Sequence, residues 1–341
     1  MNRFNCTDCR HWFFVDHSSS KDLSSLWVDH IDGKSFRSLA NETGLSHSQV
    51  YERVATQMNQ LPNNTWLSKE YSNRWSGILH VDGKYIAVKG YKKKIPFIWS
   101  VDYLQHDFPI GLLAPSESEE AFMKFFRLLK TIGYPLQVVI ADDVPALKKA
   151  VLHYYPKAKI QLCHTHYIEN IRQTLHIRTD TTYHHFFNSL MKHVFTDPDG
   201  IKDKKERRQA REDGLWHVFT KRLNNDPVLQ SIVVDIAKNY DYLFAYDSIA
   251  RCPKTNNILE SFNSHLNGRL KTIKGFQSFP QAQRWLNAYL IRRRTKPFTD
   301  CNPPFTHFNG TMPLQNTLKK QASWPALFGI PPLKKPIILR H

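Results

Sequence analysis

The sequence predicts a mixed α/β protein: a helical region, then a sheet, then a helical stretch inserted before the last core helices. Three observations predict it. Strand-like apolar runs cluster between residues 76 and 115. Helix-spaced and strand-like runs then alternate to residue 166. Residues 167–250 are mostly helical and polar.

Residues 1–15 form a short lead with Cys6, Thr7, Asp8 and Cys9 followed by Phe13. The lead resembles the second half of a zinc ribbon. A structural zinc needs four ligands, usually two such pairs, and no pair precedes Cys6. Either the chain starts after a missing pair or no zinc binds, and zinc at Cys6 and Cys9 is not expected. Cys6, Cys9, Cys163, Cys252 and Cys301 are odd in number and mostly isolated, which points to a reducing compartment rather than a disulfide framework.

Residues 21–70 read as helices and hold a helix-turn-helix candidate at 33–54. Phe36, Leu39 and Ala40 share one face of a first helix, and Gly44 supplies the turn. Leu45 fills the corner, and Ser46 with Gln49 has capping-box spacing. Val50 and Val54 face inward. That leaves His47, Ser48, Gln49 and Arg53 where a recognition helix meets base edges. A plain helical hairpin is the competing reading, and the net charge tips the balance to DNA.

From residue 76, β-type runs reach Asp82, continue as Ile86-Ala87-Val88 beyond Gly83 and Lys84, and recur at 96–101 and 108–113. Ser116 and Glu119 then have capping-box spacing ahead of Phe122, Phe125, Phe126 and Leu129. Gly133 ends that helix. A strand at Val138-Val139-Ile140, a helix from Pro145 to Tyr155 and a strand at Ile160-Gln161-Leu162 complete the alternation. Another helix runs from Asn256 to Leu270, with Leu259, Phe262, Leu266 and Leu270 as its apolar stripe. Residues 296–341 are a Pro-rich basic tail.

Three acids sit at informative places. Asp82 ends an apolar strand run, where an unpaired charge is costly to bury. Asp142 follows a strand directly, at the end of α/β strands where ligands bind. Glu260 shares a polar stripe with Asn256, Asn263 and Asn267. Such carboxylates suit a hard divalent cation, Mg²⁺ with Mn²⁺ able to substitute. Taken singly, each acid could instead cap a turn, cap a helix or face solvent.

These residues carry a resemblance. Asp82 in LHVDGKYIAV, Asp142 in VVIADDVPALKKAV, the run YPKAKIQLCHTH, and Glu260 in TNNILESFNSHLNGRLK resemble the DDE transposases of the Mutator-like superfamily, which includes bacterial insertion-sequence transposases. The resemblance implies an RNase H-like core in two parts, 76–166 and 251–295, with a helical insertion at 167–250 between them. It implies Asp82, Asp142 and Glu260 as catalytic metal ligands, and places Cys163 and His166 as structural residues near the site. Asp143 replaces the family's small residue, so Asp143 is the alternative to Asp142. The implied activity is metal-dependent cleavage and transfer of DNA strands. The alternatives are a non-catalytic regulator derived from a transposase and a stand-alone nuclease.

The charge agrees with a polyanionic partner. Lys and Arg number 47 against 30 Asp and Glu, a formal charge of +17. No apolar run has the roughly 18 residues a membrane span needs, and the first residues lack a signal-peptide core. Double-stranded DNA is the expected partner, bound by a homo-oligomer in the cytoplasm with the nucleoid. Lys92, Lys93 and Lys94, the basic run from Lys202 to Arg211, and Arg292, Arg293 and Arg294 are the expected phosphate contacts. Trp216 reads as core, with base stacking as the alternative.

Overall fold

The computed structural model describes residues 2–5, 7, 9–15, 23–222 and 226–319. Cys6, and with it the Cys6–Cys9 pair, lies outside the described residues, as does the tail beyond 319. A hairpin comes first, β1 (Asn2–Asn5) with β2 (Trp12–Val15), in antiparallel register Asn2 to Val15. Four helices follow: α1 (Leu26–Asp32), α2 (Phe36–Thr43), α3 (His47–Gln60) and α4 (Asn64–Tyr71). The turn between α2 and α3 forms as its sequence dictates. Gly44 takes the left-handed conformation, φ 70°, and Ser46 and Gln49 close a capping box on α3.

Then come β3 (Ile78–Ile86), β4 (Ile95–Asp102), β5 (Gly111–Leu113), α5 (Glu119–Thr131), β6 (Val138–Ala141), α6 (Pro145–Tyr154) and β7 (Lys159–Leu162). The helices α7 (His164–Thr174), α8 (His184–Leu190), α9 (Lys204–Arg222), α10 (Pro227–Lys238) and α11 (Tyr240–Leu243) make up the helical stretch. The chain continues through α12 (Asn257–Ile273), α13 (Phe279–Thr295) and α14 (Pro313–Thr317). Among the described residues, no helix is long and apolar enough to cross a membrane.

Three local expectations are corrected. β3 runs unbroken through Gly83, which sits in the strand rather than at a turn. β5 starts at Gly111, not at Phe108. Phe108 gives its N–H to Asp107 Oδ1 at 2.8 Å, and Pro109 has none to give. Ser118, not Ser116, caps α5, accepting from Ala121 N–H at 3.3 Å.

The five longer-range strands form one mixed sheet in the order β5-β4-β3-β6-β7. β4 and β5 pair antiparallel, while β3–β6 and β6–β7 pair parallel. By contacts the chain forms two compact units, one of residues 1–76, 83–134 and 261–341 and one of residues 77–82 and 135–260.

In the first unit every residue of β4 is buried. Trp99 stacks on Phe108 at 5.5 Å, and Phe108 meets Phe262 edge-on at 4.8 Å. Arg294 lies in this core, fully buried. Its guanidinium donates to both Asp107 oxygens at 2.8 Å, to Asn64 Oδ1, and to the hydroxyls of Ser68 and Ser72.

The second unit holds the start of β3 with β6 and β7. The helices between β7 and α12 share one apolar cluster that includes Ile171, Leu175, Leu190, Leu229, Ile236 and Leu243. Buried Gln161 on β7 ties that cluster to the sheet. It donates to Leu243 O at 2.7 Å and accepts from Tyr246 N–H at 2.8 Å. All three candidate acids belong to this unit.

Candidate active site

The parallel register of β3 on β6 aligns the first two acids. Its last pair is His80 with Ile140. Two residues beyond His80 stands Asp82, still within β3, and two beyond Ile140 stands Asp142, just past the end of β6. Neighbouring strands lie about 4.8 Å apart, so the register carries both acids toward the same end of this strand pair. Glu260 occupies the first turn of α12.

Asp142 is not spent on capping. The residue before α6 is Val144, and no side chain caps that helix. Asp142 Oδ1 instead lies 2.6 Å from His166 Nδ1. His166 Nε2 lies 3.7 Å from Glu260 Oε1. One imidazole therefore faces two of the acids at once. Its pKa is pushed up to about 11, first by the bond to Asp142, then by Cys163, against a smaller desolvation by burial. The ring thus lies between two carboxylates, which favour its protonated form. Asp143 is turned elsewhere and pairs with Lys148 Nζ at 2.7 Å.

The donor set fits a divalent cation. Apart from the imidazole, neither Asp142 Oδ1 nor Glu260 Oε1 has a hydrogen-bond partner among the described residues, although both atoms are buried. Asp142, Cys163 and His166 each present a ligand atom, all within 4.8 Å of one another. The carboxylate oxygens of Asp142 and Glu260 are hard donors of the kind divalent cations take. Two further histidines beside the site stay neutral. Burial brings His80 and His164 down to about 4, and His164 Nε2 bonds Leu243 O at 2.7 Å.

The sequence reading placed His166 near the acids only as support. The signal for a closer role was its position, three residues past Cys163 at the start of a helix leaving a sheet strand. Cys163 is buried at the junction of β7 and α7.

Of the residues expected to face DNA, His47, Ser48, Gln49 and Arg53 are all exposed on α3. Gln49 also accepts Ser46 N–H at 2.9 Å, and His47 packs edge-on against Phe36 at 5.8 Å. Lys92, Lys93 and Lys94 are exposed and join Lys89 and Lys274 around a cleft of about 510 Å³. None of these five ammonium groups has an ion-pair partner among the described residues.

The arginine run departs from expectation. Arg292 pairs with Asp32 at 2.6 Å, Arg293 covers the Phe262 ring at 5.2 Å, and Arg294 is buried. Three consecutive helical residues point in three directions, about 100° apart, so one of them faces the core. In the helical stretch, Arg211 is likewise fully buried, held by Asp197, Asp247 and Tyr246, and Arg207 pairs with Asp247 at 2.9 Å. Trp216 is not core. It is 65% exposed and stacks on Phe219, because Leu215 and Val218 form the inward stripe of α9.

Comparison with known proteins supplies the family. The model of the Mutator family of transposases matches residues 107–294, which include Asp142, His166 and Glu260. The transposase for insertion sequence element IS256 in transposon Tn4001 of Staphylococcus aureus is 26% identical over 184 residues, 53% of this chain. The Enterococcus faecalis protein of that name matches at the same 26% over 184 residues. The chain spans about half the length of these relatives, 45% of each. A Drosophila P element transposase strand transfer complex is similar at a TM-score of 0.48 and 11% identity, over 85% of this chain and 95% of that one. With more than half of its residues matched by that family model, the chain belongs to the Mutator family of transposases.

Proposed function

We propose that the chain is a DNA transposase that binds element ends and carries out metal-dependent strand cleavage and strand transfer. The observation that carries this reading is one imidazole shared by two acids from distant sequence positions, with a third acid on the neighbouring strand. Asp82 lies within β3, Asp142 directly follows the neighbouring parallel strand β6, and His166 contacts both Asp142 and Glu260. In this reading the sheet is an RNase H-like core in two parts, 76–166 and 251–295, and 167–250 is its helical insertion. Asp82, Asp142 and Glu260 hold the metal, Mg²⁺ or Mn²⁺. Bound divalent cations would supply an activated water or 3′-hydroxyl and stabilise the leaving oxygen. The protein's own part is to hold the three carboxylates on regular elements, with His166 between Asp142 and Glu260.

Within residues 21–70, α2 and α3 act as a helix-turn-helix, with His47, Ser48, Gln49 and Arg53 toward the bases. The cleft of Lys89, Lys92, Lys93, Lys94 and Lys274 meets phosphates of double-stranded DNA. Arg292 and Arg293 keep only a supporting place, since their guanidinium groups are already engaged. The working form is a homo-oligomer on DNA, at the nucleoid.

The two DNA surfaces differ in what they read. Arg53→Ala should weaken binding to element ends more than to random duplex, by about 1–3 kcal/mol of discrimination for a base-edge contact. Gln49→Ala is a poorer probe because it also removes half of the capping box. Lys92→Ala with Lys93→Ala and Lys94→Ala should weaken both duplexes equally. It should flatten the slope of log K against log salt by about 0.9 per lost phosphate contact. Equal losses for Arg53→Ala would make it a phosphate contact, and an unchanged slope would remove the lysine cleft from the interface.

The reaction itself is tested with duplex carrying paired element ends, a target plasmid and Mg²⁺. Free 3′-hydroxyl ends and joined products support a transposase. Cleavage without joining would leave a nuclease, and end binding without cleavage would leave a regulator.

A further inference from the structure

We propose that Asn256 is the positioning residue that sets Glu260 against the two aspartates, by tying the start of α12 to β3 and to the end of β7. This role rests on the metal-dependent reading above. Glu260 follows Asp142 by 118 residues, with the whole helical insertion between them. Nothing in the local sequence fixes the start of α12 relative to the strand ends. A misplacement of about 1 Å can cost a catalytic geometry roughly 100-fold in rate, so an anchor is needed.

Asn256 supplies one through four bonds. It is fully buried. Its Nδ2 donates to Val81 O at 3.2 Å, the carbonyl just before Asp82. Its Oδ1 accepts from His80 Nδ1 at 2.6 Å. Since Nδ2 is the donor to Val81, Oδ1 must be the acceptor, and His80 therefore carries its proton on Nδ1. The backbone N–H of Asn256 donates to Cys163 Sγ at 3.2 Å, three residues before His166. Its carbonyl accepts from Glu260 N–H at 3.1 Å. One residue thus touches the strand of Asp82, the helix start of His166 and the backbone of Glu260. A further bond, His164 N–H to Lys254 O at 3.0 Å, pins the same turn. Buried amides that satisfy several partners at once specify geometry more than they add stability.

A buried helix cap with no other role would give the same contacts, so the test must separate the two. Asn256→Ser keeps a favoured N-cap residue and removes both side-chain bonds. Asn256→Asp keeps an acceptor for His80 but turns a buried carboxylate oxygen on the Val81 carbonyl. Gln161→Ala serves as a control that loosens the same unit without touching α12. Glu260→Gln marks loss of a ligand. Mn²⁺ binding to the full chain is read by the paramagnetic resonance of free Mn²⁺, and by the metal-induced rise in Tm.

Asn256→Ser should weaken Mn²⁺ binding by about 10–100-fold, the range for residues that orient metal ligands. Asn256→Asp should weaken it as well, and it carries the test if the serine variant does not fold. Gln161→Ala should lower the metal-free Tm and bind Mn²⁺ as the wild type does. Wild-type Mn²⁺ affinity in both Asn256 variants, or equal weakening by Gln161→Ala, would overturn the positioning role while leaving the metal site intact. No Mn²⁺ binding by the wild-type chain, or none lost in Glu260→Gln, would overturn the metal reading and this role together.

Discussion

Asp82→Ala, Asp142→Ala and Glu260→Ala should each reduce strand cleavage by at least about 1,000-fold, because a metal-holding set acts as a unit and losing one member removes most of its effect. Binding to element ends should change by less than about twofold, since these acids read no base edge. The assay is nicking of end-labelled duplex beside a gel-shift titration of the same variants. Asp143→Ala is the internal control. Its carboxylate is held by Lys148 rather than by His166, so that variant should keep most of the activity. Retained cleavage in Asp142→Ala together with loss in Asp143→Ala would transfer the ligand role to Asp143.

Arg294→Ala should destabilise the first unit by about 3–5 kcal/mol, the cost of stranding one member of a buried ion pair. The guanidinium and the Asp107 carboxylate are both 0% exposed, joined by two bonds of 2.8 Å. Without Arg294, Asp107 keeps neutral donors such as the Thr317 hydroxyl but no compensating charge. Urea unfolding of the variant measures the loss. Replacing both partners, Arg294→Met with Asp107→Leu, should cost far less, because apolar side chains leave no charge uncompensated. A loss below about 1 kcal/mol in Arg294→Ala would place that carboxylate in contact with water instead, where ion pairs contribute little.

The sheet and most helices were legible because their apolar spacing is strong. Phe122, Phe125, Phe126 and Leu129 are all buried, as their period requires. Gly83 was misread because a glycine carried inside a strand looks the same in sequence as one that makes a turn. Arg294, Arg211 and Trp216 were misplaced for a related reason. A run of like charges suggests solvent, but the helical period turns each successive residue by about 100°, and a fully buried arginine needs carboxylates that only the fold brings to it. Asp142 and Glu260 could be singled out from their positions just after a strand and in a first helical turn. The part of His166 could not, because its contact with Glu260 spans 94 residues of chain. Asn256 is further still from its partner His80, at 176 residues.

The central claim, that Asp82, Asp142 and Glu260 form one cation site, is tested most directly by letting a bound ion cut the chain. Fe²⁺ loaded in place of Mg²⁺, with ascorbate and peroxide, generates hydroxyl radicals that cleave the backbone near the ligands. Mass spectrometry of the fragments should show cuts around residues 82, 142, 166 and 260, suppressed by excess Mg²⁺ and lost in Asp142→Ala. Cuts elsewhere, such as at the adjacent rings of His193 and His217, with none near those four positions, would contradict it.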